Sequence, residues 1–111
     1  MKSIFKKIID KELPSNILFE NENILAIEDK FPIAPYHILI MPKKEIQNIQ
    51  SLKKEDFFLL EEIFKVAQNL AKKFNISDGY RLLTNNGENA GQTISHLHFH
   101  LIAGKRLGKM G

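Results

Sequence analysis

The segment His96-Leu97-His98-Phe99-His100-Leu101-Ile102 constrains the fold more than any other part of the chain. Its side chains alternate polar and apolar, and a period of two belongs to a β-strand. On such a strand His96, His98 and His100 share one face, while Leu97, Phe99 and Leu101 face a core on the other. A slip of one residue would bury three imidazoles, so the register is fixed from both sides.

The strand needs neighbours. Ile17-Leu18-Phe19 and Ile24-Leu25-Ala26-Ile27 flank Asn21-Glu22-Asn23 and read as a hairpin. His37-Ile38-Leu39-Ile40-Met41 is apolar on both faces after His37, as expected of a central strand covered on both sides and ended by Pro42. Gly79 to Thr84 reads as a further strand. Residues 30 to 35 hold two prolines and form an ordered loop; residues 85 to 95 form a polar, glycine-bearing loop. Residues 104 to 111 read as a loose tail.

Two helices are expected. Ile4, Phe5, Ile8 and Ile9 are spaced for a short one between Ser3 and Lys11. Lys53 to Phe74 forms a long one, with Ser51 as candidate N-cap. It carries two adjacent apolar stripes: Phe57, Leu60, Phe64, Ala67, Ala71 and Phe74, and Leu59, Ile63, Val66 and Leu70. Either the helix is sunk in its own core, or one stripe packs on the sheet and the other on a partner subunit. The order of elements implies one α+β domain over residues 1–111, an antiparallel meander with helices on one face.

With 43% hydrophobic and 26% charged residues, the 111-residue chain can bury an ordinary core. It has no cysteine, which excludes disulfides, thiolate zinc sites and a cysteine nucleophile, and fits a reducing cytoplasm. No apolar run approaches a membrane span, and the N-terminal residues turn polar too soon for a signal peptide. The net charge of +3 is mild and interspersed, which suits a small anionic ligand and not a nucleic acid.

Three aligned imidazoles support two kinds of chemistry. Two histidines at i and i+2 can share a metal, but the outer pair of the row stand ~13 Å apart, so His37 or a carboxylate would have to complete the set. Alternatively, neutral imidazole can attack phosphorus, with its neighbours donating hydrogen bonds and Gly91-Gln92-Thr93 supplying backbone N–H groups to phosphate oxygens.

The row resembles the motif of the histidine-triad (HIT) superfamily. Residues 3–9, 34–44, 78–81 and 85–92 are similar to its Hint branch of purine-nucleotide phosphoramidases, so the resemblance runs from about residue 3 to about residue 106. It implies a five-stranded antiparallel sheet with a short N-terminal helix and one long helix. It further implies a homodimer whose sheets join into ten strands, with the long helices at the interface. His98 would be the nucleophile, forming a nucleotidyl-histidine from a nucleoside 5′-phosphoramidate. His100 would bond the phosphate region, with His96 and His37 in support. Gln92 and Thr93 would contact the phosphate and leaving group, with Gly91 beside them, and Asn85 would help place the phosphate. Asp29 would bind the ribose, and Phe5, Ile8 and Ile27 would line the purine slot. The resemblance also leaves a second reading, a module that holds purine monophosphates with little turnover and acts through partners. No cofactor is implied. Many bacterial relatives hold a structural zinc where this chain has Ser3, Lys6 and Glu45, so none is expected here. The aromatic, Pro-rich tail of many relatives is replaced by Lys105-Arg106-Leu107-Gly108-Lys109-Met110-Gly111.

Overall fold

The computed structural model describes residues 1–110. Its elements are α1 (Ile4–Ile9), β1 (Ile17–Glu20), β2 (Ile24–Glu28), β3 (Tyr36–Pro42), α2 (Phe58–Lys73), β4 (Tyr80–Leu83) and β5 (Phe99–Ala103), with short 3-10 turns before α2 and within the loop after β4. The five strands form one antiparallel sheet in the order β1-β2-β3-β5-β4. The expected meander therefore fails at one point: β4 takes the edge and β5 enters between it and β3. β5, the more apolar of the two, takes the interior place.

Local chemistry starts and stops these elements. The Ser3 hydroxyl accepts from the Lys6 backbone N–H at 3.0 Å and caps α1. The Asn21 carboxamide oxygen accepts from Asn23 and Ile24 and closes the β1–β2 hairpin. The long helix begins at Phe58, five residues later than the spacing suggests, and Ser51 does not cap it. Instead Asn48 caps a turn ending at Ser51, and the buried Asp56 accepts from the Lys53 N–H at 3.0 Å while pairing with Lys44. These contacts hold residues 49–56 in tighter turns.

The two helices lie on opposite faces of the sheet, not on one. Leu59, Ile63, Val66, Ala67, Leu70 and Ala71 of α2 pack with Ile24, Ala26, Ile38, Ile40, Leu97, Phe99 and Leu101. Phe5 of α1 packs with Leu25, Ile27, Leu39 and Met41 on the other side. β3, the central strand, supplies both cores by alternation. The second stripe of α2 faces the sheet with two alanines of the first, while Phe57 and Phe64 remain half exposed.

The regular strand begins at Phe99, three residues later than the histidine row suggests. Its register pairs Phe99 with Ile40, so continuing it would set Leu97 opposite Pro42, which has no N–H to give. Leu97 N–H turns instead to the Ile46 carbonyl at 2.7 Å, and the Thr84 hydroxyl donates to the His98 carbonyl at 2.6 Å. The alternation survives without the ladder: Leu97, Phe99 and Leu101 still face α2. The tail is also held where looseness was expected, since Arg81 donates to the Gly108 carbonyl at 2.7 Å; Gly111 lies outside the described residues. Among the described residues no helix is long and apolar enough to cross a membrane.

Candidate active site

Because α1 covers only part of its sheet face, a cleft of about 950 Å³ opens beside it, within the size range of small-molecule sites. Phe5, Ile8, Ile27, Asp29, Thr93, His98 and His100 all line it. His96 and His37 stand behind this lining. His96 is fully buried, and its Nε2–H donates to the Pro42 carbonyl at 2.8 Å.

The protein fixes the proton on His98. Its Nδ1 lies 2.6 Å from the His96 carbonyl, which can only accept, so Nδ1 carries the hydrogen and Nε2 keeps a lone pair. Among the described residues no fully buried side-chain nitrogen or oxygen lacks a partner, so the unpartnered Nε2 is reached from the cleft that His98 lines. The ring is otherwise enclosed, with Phe5 edge-on at 4.8 Å between centroids and His100 at 5.0 Å.

A second chain of donors ends at His100. Ile33 N–H donates to His37 Nδ1 at 3.2 Å, which places the proton of neutral His37 on Nε2. His37 Nε2–H then faces His100 Nδ1 at 2.9 Å and Asp29 Oδ2 at 3.3 Å. His100 Nδ1 accepts, so its own hydrogen sits on Nε2. The site therefore offers one bare nitrogen, on His98, and one N–H donor, on His100.

Burial pushes all three imidazoles of the row below the ordinary histidine value. For His96 and His98 it outweighs the opposing carbonyl bonds, and for His100, with charge on His98 and His37 adding to it, the result is about 4. The row is held neutral, the form in which imidazole is a nucleophile.

Asp29, His37 and His100 bring ligand atoms within 4.8 Å of one another, close enough in principle to hold a metal. The donors argue otherwise. A metal-bound histidine gives its second ring N–H to an acceptor, but His37 Nδ1 meets an N–H, so its Nε2 holds a proton where a metal would need a lone pair. Of the positions that carry zinc ligands in the resemblance, Ser3 caps α1 and Lys6 pairs with Asp10 at 3.2 Å.

Asn85, Gly91 and Gln92 do not line the cleft. The Gln92 oxygen accepts from Gly87 N–H at 2.8 Å, and its nitrogen donates to the carbonyls of Gln47 and Ile94. Gly91 turns the chain with φ 96°, a left-handed value suited to glycine, above the Asn85 side chain. These residues build the loop that presents Thr93. Ile33, Thr84 and the Pro42 carbonyl were not legible as site groups, since each acts through a main-chain group or a contact distant in sequence.

The HIT domain family model matches residues 10–107. An uncharacterized HIT-like protein of Chlamydia trachomatis is 46% identical over 99% of both chains. A HIT family hydrolase from Clostridium thermocellum superposes with a TM-score of 0.94 at 44% identity, covering 98% of this chain and 96% of that one. A HIT family hydrolase from Legionella pneumophila gives 0.93 at 40% identity, covering 96% of each.

Proposed function

The chain belongs to the HIT domain family, and on that premise we propose that it is a nucleotide-binding hydrolase that cleaves purine nucleoside 5′-phosphoramidates. The observation that carries this reading is the free Nε2 of His98, desolvated, neutral and open to the cleft. In the proposed reaction it attacks the α-phosphorus and the P–N bond breaks, the amine leaving as it takes a proton from solvent in the open cleft. Water then displaces the nucleotide from His98, giving the nucleoside monophosphate. His100 Nε2–H donates to a phosphoryl oxygen as charge builds there. Asp29 takes the ribose hydroxyls, Phe5, Ile8 and Ile27 receive the base, and Thr93 contacts the leaving group. The proposed reaction uses no cofactor or metal, and a cytoplasmic setting for it is supported by the absence of cysteine.

We further propose a homodimer. β4 is an open sheet edge, and Tyr80 and Leu82 on it are partly buried on the α2 side. Phe64 meets Phe99 edge-on at 5.8 Å and is 49% exposed, leaving an uncovered aromatic surface on that side of the sheet. Pairing of two β4 edges would give ten continuous strands.

The reaction is tested by rapid mixing with labelled adenosine 5′-phosphoramidate and acid quench. The expected result is labelled nucleotide on wild-type protein and none on His98→Ala, with hydrolysis reduced at least 10³-fold, of the order seen on removing a nucleophile. Turnover retained by His98→Ala would refute the nucleophile. Binding of AMP without any turnover would leave a binding module.

A further inference from the structure

The loop between β2 and β3 sets Phe31 at the cleft with 79% of its surface exposed. A single exposed apolar residue is common, but this one lines a ligand-sized cleft together with Phe5, Ile8 and Ile27. Its main chain is pinned while its ring is free. Phe31 N–H donates to Asp29 Oδ1 at 2.8 Å, and two residues on Ile33 N–H donates to His37 Nδ1 at 3.2 Å. The loop is thus tied at two points to polar groups of the site, and the phenyl ring retains two torsions with little packed against it.

We propose that Phe31 is a movable wall of the base slot, an affinity-determining residue whose ring turns onto the open face of a bound nucleobase and stacks there. The proposal rests on the nucleotide reading above and extends it. A phenyl face offers no hydrogen bonds, so it strengthens binding of any nucleobase by its π-surface and reads no edge. Asp29 gives the closure a second property. The carboxylate expected to meet the ribose is also the acceptor that positions Phe31, so sugar binding and base closure share one anchor.

The test compares wild type, Phe31→Leu and Phe31→Ala. NMR chemical-shift titrations give Kd for GMP and for ribose 5-phosphate, which lacks a base, and steady-state assays use adenosine 5′-phosphoramidate. Phe31→Ala is expected to weaken GMP by about tenfold, the scale of one base–aromatic stack, with Phe31→Leu between. Ribose 5-phosphate affinity and kcat stay unchanged while KM rises. The thermal midpoint stays put, because the ring is exposed in the folded protein. Equal GMP affinity in wild type and Phe31→Ala would overturn the proposal. So would an equal loss of both ligands, which would mean a distorted loop. If wild type binds neither ligand, the nucleotide reading falls and this one with it; if wild type binds GMP and Phe31→Ala matches it, only the role of Phe31 falls.

Discussion

Acidification should destabilise this protein, and His100 should account for a separable part of the loss. Its Nδ1 is occupied by the His37 Nε2–H, and burial, followed by charge on His98 and His37, holds its protonation down to about pH 4. In the unfolded chain the same imidazole titrates near 6.5. Between those values the unfolded chain binds a proton that the folded one refuses. Stability therefore falls as pH drops through 6.5 and levels off below about 4. At about 1.36 kcal/mol per pH unit the window is worth at most about 3.4 kcal/mol, and screening through the open cleft lowers it to about 2 kcal/mol. Urea unfolding of wild type and His100→Gln at pH 7 and pH 4.5 isolates the effect, since His96 and His98 are common to both. Wild type should lose about 2 kcal/mol more than the variant on acidification. Long-range ¹H–¹⁵N spectra should show His100 neutral at pH 5.5 with its proton on Nε2, and His98 with its proton on Nδ1. Equal losses in the two proteins, a His100 midpoint near 6.5, or the opposite tautomer on either ring would refute the reasoning.

Two further outcomes follow from the packing. Gly104 has φ 98°, and a Cβ there would lie 2.8 Å from the Pro35 Cβ, so Gly104→Ala should cost about 2–4 kcal/mol in urea unfolding; a wild-type midpoint would show that the Pro35 loop yields freely. Phe64→Lys should convert a dimer to a folded monomer by light scattering, and a wild type already of one-chain mass in solution would end the dimer proposal.

The local periodicities carried most of the architecture. Alternation in residues 96–102 identified the faces, because contact with a core on one side only is enough to impose a period of two. It did not reveal that the ladder starts at Phe99, since the cause is a proline on another strand, more than fifty residues away. The position of α1 was also hidden. Ile4, Phe5, Ile8 and Ile9 declare an apolar side but not which face of the sheet it meets. At the site, side chains with distinctive chemistry were legible: His37, His98, His100 and Asp29 do converge. The proton positions were settled by the main chain of Ile33, His96 and Pro42, and a carbonyl or N–H has no letter in the sequence.

The unequal helices explain why the histidine row is graded and not uniformly wet or dry. A sixteen-residue helix spans about 24 Å and a six-residue helix about 9 Å, while the outermost of five strands lie roughly 19 Å apart. α2 can cover its face of the sheet, and α1 can cover less than half of the other. The Phe5 ring of α1 reaches His96 and His98, with centroids 6.3 and 4.8 Å away, and no such contact extends to His100. His96 is sealed, His98 keeps 8% of its surface, and His100 is only half buried. The nucleophile role proposed for His98 calls for this middle condition: enough cover to strip water and keep the ring neutral, and enough opening for a phosphorus atom to reach Nε2. One more turn on α1 would extend cover over the cleft. Loss of the Phe5 ring would admit water to His98 and return its pKa toward the ordinary imidazole value, so the first helix sets the protonation of a residue about ninety positions away.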